Sequence, residues 1–276
     1  MKQNNKLELH ERLITKLFNT KNELIFFDIG ACEGLSSVRY LSIFPKSKIY
    51  AFEPVPDNFK KIKKVIEKYQ LNNLIPFELG LSSKKGEATF YVSSGKPPNK
   101  DTPDDNSTEF GNKSSSLFKP GKTKEVHPWL KFKKSITIKT ETLDHFCEDN
   151  NITNIDFIHM DVQGAELLVL EGANNMISKI NTIWLEVEKI ALYEDQALKT
   201  DIETYLIKNN FECILNKVNH IAGDQFWVQK TFLKSLDKTT NSYLLRQKTK
   251  TQIKSYFSSV YGNFTSKFKN IFKSSY

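Results

Sequence analysis

Carboxylates stand at the ends of the apolar runs of this chain. Asp28 closes "ELIFFDIG", Glu53 closes "KIYAFEP", Asp161 closes "IDFIHMD" two residues after His159, and Glu186 lies in "TIWLEVE". In an open α/β sheet, ligands bind outside the carboxyl ends of the strands, so acids at strand ends face the ligand crevice. Asp28 is followed by a short glycine loop, D-x-G-x-x-x-G, that ends at Gly34. Glycines there let backbone approach a ligand closely. A dinucleotide loop reads G-x-G-x-x-G, but counting from Gly30 puts Cys32 and Leu35 at the second and third glycine positions. No pyrophosphate cradle is evident.

Glu53, at the end of the second run, is placed to accept both hydroxyls of a ribose. Ribose recognition without a phosphate loop points to a nucleoside cofactor lacking phosphates, namely S-adenosylmethionine, with Asp28 near its amino-acid end. Gly30, Ala31, Gly34 and Ser37 of the loop, with Leu81 and Ser82 after the third run, complete the candidate cofactor set. The alternative for Asp28 and Glu53 is that they cap nearby backbone.

Methyl transfer is an in-line displacement that depends on alignment of the acceptor. A base that takes the proton of a hydroxyl acceptor adds about 10²–10⁴-fold. Phe157, His159 and Asp161 alternate onto one face of their strand, as Glu186 and Glu188 do on theirs. The expected catalytic cluster is therefore Asp161, His159 and Glu186. Asp161 is the base or the orienter of His159, and Glu186 holds the imidazole or an acceptor hydroxyl. The alternative for His159 is a satisfied core histidine. Glu166, in the first turn of the next helix, suits the helix dipole and reads as structural. Asp161 and Glu186 lack a clear third ligand, so no metal site is assigned.

The elements that must position these residues alternate in type. Residues 6–20 read as an amphipathic helix. Runs ending at Asp28 and Glu53, "LIPFELGL", "IDFIHMD", "TIWLEVE", "FECIL" and "DQFWVQ" read as strands. Between them, "DNFKKIKKVIEKY" with Asp57 as N-cap, "AELLVLEGANNMI" and "DIETYLIKN" read as helices. The alternation predicts an α/β fold, doubly wound around a mainly parallel sheet. Residues 93–134, rich in Ser, Pro, Gly, Asn, Asp and Lys, form a long inserted loop of the kind that carries function. They are expected to cover the acceptor site, with Trp129 or Phe118 stacking on a sugar and His127 as a second base candidate.

The chain has 276 residues, 39% hydrophobic, and no apolar run of transmembrane length. A polar N-terminus argues against a secretory signal. Cys32, Cys147 and Cys213 are far apart and read as reduced thiols, which with the missing signal suggests a cytoplasmic protein. The net charge of +8 is concentrated: residues 230–276 carry ten basic side chains and one acid, Asp237. Residues 1–230 are therefore assigned to the catalytic domain, with 1–23 as its N-terminal helix, and 231–276 to a basic tail. Ile253, Phe257, Val260, Tyr261 and Phe264 fall on one helical face of that tail. The tail suits a membrane surface, which would place the protein peripherally at the inner face, or a partner enzyme. Nucleic acid fits less well, because the cations are spread rather than clustered.

"DIGACEGLSS", "AFEPVPDNF", "LGLSSKKGEATFYV", "ETLDHF", "IDFIHMDVQGAELLVLEGA" and "LEVEKIALYED" occur in that order. Together, over roughly residues 24–230, they resemble the FkbM-type methyltransferases. The resemblance implies a Rossmann-like, seven-stranded methyltransferase fold whose last strand is antiparallel. It also implies S-adenosylmethionine as donor and a hydroxyl of a sugar or natural product as acceptor. "GNKSSSLFKP" is similar to the family's Ser-rich segment. The chain departs from the family at Cys32, where Asn is common, and at His159, where Lys is common. The reading that results is O-methylation of a carbohydrate or glycan hydroxyl. The alternatives are a ribose methyltransferase of nucleic acid that uses the basic tail, and a degenerate methyltransferase fold that only binds. "DVQG" after the fourth strand, in place of [DN]PP[YF], argues against adenine N6 chemistry.

Overall fold

The computed structural model describes residues 6–97 and 110–253. Seven strands form the main sheet: β1 (Ile25–Ile29), β2 (Lys48–Phe52), β3 (Leu74–Phe77), β7 (Ile155–Met160), β8 (Ile180–Glu188), β9 (Phe211–Val218) and β10 (Ala222–Gln229). Their order across the sheet is β3-β2-β1-β7-β8-β10-β9. β10 runs antiparallel to both neighbours, while β1, β2, β3, β7 and β8 pair in parallel. This is the expected doubly wound sheet with its last strand reversed.

Alternation along the strands divides the core. Phe27, Ile29, Tyr50 and Phe52 face α5 (Leu143–Asp149), α6 (Glu166–Glu171) and α7 (Lys199–Lys208). Phe26, Ile49, Ala51 and Phe157 face α1 (Leu9–Leu17), α2 (Leu35–Ile43) and α3 (Pro56–Tyr69). Asp28 and His159 lie on this second face. The strand register pairs them directly, and pairs His159 with Trp184.

A smaller sheet, unanticipated as a unit, has the order β4-β6-β5, with β4 (Gly80–Leu81), β5 (Gly86–Ser94) and β6 (Lys131–Glu141). Long antiparallel pairing from Gly86↔Thr140 to Ser94↔Lys131 absorbs both ends of the 93–134 stretch. The segment between them packs back on β5. Its 3₁₀ turn at Phe110–Ser114 is followed by a two-way backbone bond between Tyr91 and Ser116, at 2.8 and 3.1 Å. A short helix, α4 (Thr123–Val126), follows.

Two helices differ from their expected extents for local reasons. α3 starts at Pro56, with Val55 as the cap and Asp57 inside the first turn. Proline fits N1 because its missing N–H has no partner there anyway. α6 ends at Glu171 rather than running on. A side chain at Gly172 would meet the Ser82 carbonyl at 2.3 Å, so the chain passes tightly there. The Asp144 carboxylate then accepts the Asn175 and Met176 amides, both at 2.8 Å, in place of helix carbonyls.

Residues 231–253, assigned to the tail, pack on the body. α8 (Lys230–Ser235) stacks Phe232 on Phe18 with centroids 5.4 Å apart, and Leu244, from a helix over 238–253, is buried. Of the apolar face proposed for the tail, all but Ile253 lies outside the described residues. Among the described residues no helix is long and apolar enough to cross a bilayer.

α1 is fastened to α2 by an ion pair. Arg39 donates through Nε and Nη2 to the two oxygens of buried Glu11, at 2.7 and 2.6 Å. Removing one partner of a buried pair leaves an uncompensated charge. Arg39→Met is expected to lower stability by about 2–3 kcal/mol in urea unfolding, less than the full buried-pair penalty because Arg39 is partly solvated. Adding Glu11→Gln should recover most of the loss, whereas an unchanged midpoint in Arg39→Met would mean that apolar packing alone holds α1.

Candidate active site

The glycine loop is shaped by one close approach. Gly30 has φ +84°, and a Cβ there would lie 1.9 Å from the Asp161 carbonyl oxygen. Gly30 and Ala31 donate their amides to the Phe52 carbonyl, and Asp161 donates its amide to Ile29. The ends of β1, β2 and β7 are thereby tied into one patch. Cys32 takes φ +51°, a left-handed conformation that Asn tolerates better than most residues.

Glu53 is 4% exposed. Its two oxygens accept the Cys32 and Val55 amides, each at 2.8 Å. Burial pushes its carboxyl up to about 8, against the pull of those two amides. Asn58 also bonds this carboxyl, which leaves one acceptor position open. Glu53 lines an apolar cleft with Gly30, Cys32, Phe52, Pro54 and Leu81, and Asp161 borders it.

The loop residues expected beside a cofactor divide. Gly30, Glu53 and Leu81 line this cleft; Ala31, Gly34, Ser37, Ser82 and Asp28 do not. Ser37 is fully buried and donates its hydroxyl to Asp28 at 2.5 Å, which secures α2 against β1. Gly34 caps α2 against Ile62. Ser82 is buried and its carbonyl lies against Gly172.

Asp161 also borders a second cavity, of about 250 Å³, which Glu186, Glu188, Gln163, Tyr193, Lys113 and His127 help to line. Gln163, in a left-handed conformation at φ +55°, spans the acids. Its Nε2 donates to Asp161 Oδ1 at 2.7 Å and to Glu186 Oε2 at 2.9 Å. The buried Tyr193 hydroxyl reaches Gln163 Oε1 at 3.1 Å and the Ser114 carbonyl at 2.8 Å. Neither Trp129 nor Phe118 lines this cavity; Tyr193 is the aromatic ring in its wall. Glu166 is buried and accepts the Val162 amide at 3.1 Å, which holds the turn after Asp161.

Charge is crowded here. Burial raises the Asp161 carboxyl above its ordinary range, opposed by the Gln163 bond and by His159. Burial and then Asp161 push Glu186 up to about 8; burial and then Glu186 do the same to Glu188. His159 behaves differently from expectation. Asp161 and Glu186 meet through Gln163, but His159 turns to Asp28, with Nδ1 3.2 Å from Oδ1 and off the hydrogen-bond axis. Its burial disfavours the charged form, yet the carboxylates of Asp28, Asp161 and Asp224 together outweigh that and raise its pKa. Its ring stacks on His10 of α1, 5.9 Å between centroids, and His10 stacks in turn on Trp184 at 4.8 Å. Burial, and then the neighbouring His159, lower His10 to about 3. His10 is therefore neutral at neutral pH, and its Nε2 lies 3.0 Å from the Tyr40 hydroxyl.

Residues 28–213 match the Methyltransferase FkbM domain family. The chain belongs to that family. It is 28% identical over 218 residues to the 2-O-methyltransferase NoeI of Sinorhizobium fredii, a match covering 79% of this chain and 84% of that one. It is also 28% identical over 142 residues to the hexuronic acid methyltransferase AglP of Haloferax volcanii, covering 51% and 48%. Among solved structures, an FkbM methyltransferase from Methylobacillus flagellatus aligns with a TM-score of 0.46 at 14% identity, covering 76% of this chain and 44% of that one.

Gln163, Tyr193, Lys113 and His10 are the site-lining or supporting residues that strand periodicity does not single out. Only Gln163 carries a hint, in the "DVQG" turn that replaces a more rigid motif.

The raised acids set a pH dependence. Below about pH 3.5 Glu188 is neutral whether folded or unfolded; above that the unfolded chain releases a proton that the fold retains up to about 8. Stability therefore falls as pH rises across that window. Glu188→Gln is expected to raise the melting temperature by about 2–4 °C at pH 8, roughly 1 kcal/mol, and to leave it unchanged at about pH 3. An equal change at both pH values would contradict the electrostatic account.

Proposed function

We propose that this protein is an S-adenosylmethionine-dependent methyltransferase that methylates a hydroxyl of a carbohydrate or glycan. The observation that carries this reading is the position of Asp161, which borders both the apolar cleft and the acidic cavity. The cleft suits an adenosine. Phe52, Pro54 and Leu81 offer apolar walls, and Glu53 has an acceptor position left for a ribose hydroxyl. When bound, S-adenosylmethionine supplies a methyl group already activated on a sulfonium. Nothing in the chain then has to activate the donor, and the protein's part is to align and deprotonate the acceptor.

The acidic cavity suits a polyol: carboxylates, an amide and a phenol there offer hydrogen bonds without demanding one fixed partner. Asp161 takes the acceptor's proton. Its raised pKa brings its basicity nearer to that of a group working at neutral pH. Gln163 orients Asp161 through its short bond, and Glu186 binds a neighbouring hydroxyl. His159 and Asp28 hold the floor beneath, so His159 is a positioning residue. The two relatives support the acceptor class from different sides: the name of one states transfer to oxygen, that of the other a sugar acid.

Transfer of a labelled methyl group from S-adenosylmethionine to a panel of glycans tests this. Wild type is expected to label hydroxyls, and Asp161→Asn to lower turnover by about 10²–10⁴-fold with little change in cofactor affinity. The wild-type kcat/KM should rise with pH on a limb above the ordinary aspartate range, and that limb should vanish in the variant. Full turnover in Asp161→Asn would remove Asp161 as the base. Label on nitrogen, or on nucleic acid alone, would overturn the acceptor assignment.

A further inference from the structure

Asn112 lies in the 3₁₀ turn at Phe110–Ser114, is 8% exposed and lines the apolar cleft along with Glu53. Both amide protons are engaged: Nδ2 donates to Glu33 Oε1 at 2.9 Å and to Asn58 Oδ1 at 3.0 Å. Rotating the amide by half a turn would set its carbonyl against those two oxygens, so the neighbours fix which atom is which. The carbonyl Oδ1 is left buried with no partner in the protein. Buried acceptors are normally satisfied, and an exception at a cleft wall points to a ligand that brings the donor. Asn58, which receives one of those amide bonds, also bonds Glu53. Asn112 thus belongs to the polar end of the cleft, away from the apolar walls of Phe52 and Leu81.

We propose that Asn112 Oδ1 accepts a hydrogen bond from a ribose hydroxyl of the nucleoside in this cleft, and that this bond sets the wall of the acceptor cavity. The assignment rests on the cofactor reading above. Its second half follows from chain continuity. Lys113, the next residue, borders both spaces, and the Ser114 carbonyl accepts from Tyr193 in the cavity wall at 2.8 Å. A nucleoside bonded to Asn112 fixes the turn that carries all three. The acceptor cavity, already outlined by these residues, is then held more firmly once the cofactor is bound, which favours binding with the cofactor first.

Calorimetric titration of S-adenosylhomocysteine and its 2′-deoxy and 3′-deoxy analogues into wild type and Asn112→Ala tests the contact. The variant is expected to bind S-adenosylhomocysteine about tenfold more weakly, the size of one neutral hydrogen bond. One deoxy analogue should lose a similar factor with wild type and nothing further with the variant, the non-additivity of a shared contact. Melting of the unliganded proteins checks the fold, and Asn112→Ser, a small polar replacement with no atom at the Oδ1 position, gives the same readout if the alanine variant is unstable. Hydrogen exchange over residues 112–130 should slow on adding S-adenosylhomocysteine to wild type but not to the variant. Equal affinity in wild type and variant, or undiminished penalties for both deoxy analogues, would overturn the contact. Exchange that slows equally in both would overturn the ordering. Failure of wild type to bind S-adenosylhomocysteine would instead overturn the cofactor reading, and this contact with it.

Discussion

The absence of a side chain at position 30 is the constraint on which the rest of the site depends. Any Cβ there would stand 1.9 Å from the Asp161 carbonyl. Because Gly30 has none, the loop after β1 lies flat across the end of β7, and its amides reach back to β2. Three strand ends close on one another. Glu53, Cys32 and Asp161 come from positions far apart in the chain and line one cleft because of that closure. The helix that follows is secured separately by the bond from Ser37 to Asp28, so the loop is held from both ends.

The same closure concentrates acids, and the fold manages them by sharing donors and retaining protons. Gln163 is the shared donor: one amide nitrogen serves both Asp161 and Glu186. Glu186 and Glu188 hold their protons up to about 8, which limits the repulsion. On the other side of the sheet's edge, Asp28 offsets the charge of His159, and a neutral His10 stacks over it. The result separates two environments. One is a closed network of Asp28, His159 and His10 that lines neither cavity. The other is a solvent-reaching group of acids around Asp161.

Strand-level features of this fold were legible in the sequence because buried parallel strands are short apolar runs ended by polar turns. Asp28, Glu53 and Asp161 were legible for the same reason: each is the polar residue that ends such a run. The pairing of His159 with Asp28 rather than Asp161 was not, because it depends on which strands become neighbours, and β7 inserts beside β1 from 130 residues away. Gln163, Asn112 and Tyr193 lie in turns, where no periodicity marks a residue as inward-facing. Asn112 comes from the 93–134 stretch, which looked like one loop but folds along the strand pair β5–β6 and brings Asn112 and Lys113 to the cleft. The extent of α6 was hidden too, since its end is set by contact with Ser82 and Asp144 rather than by a breaker within the helix.

The central claim is spatial: one cleft holds the nucleoside, the adjoining cavity holds the acceptor, and Asp161 stands between them. The most direct measurement is a crystal structure of the protein with S-adenosylhomocysteine. The account predicts adenosine between Phe52 and Leu81, one ribose hydroxyl on Glu53 and the other on Asn112, and the sulfur directed past Asp161 into the cavity bordered by Glu186 and Tyr193. Ligand bound elsewhere, or bound in the cleft with its sulfur turned away from Asp161, would contradict it.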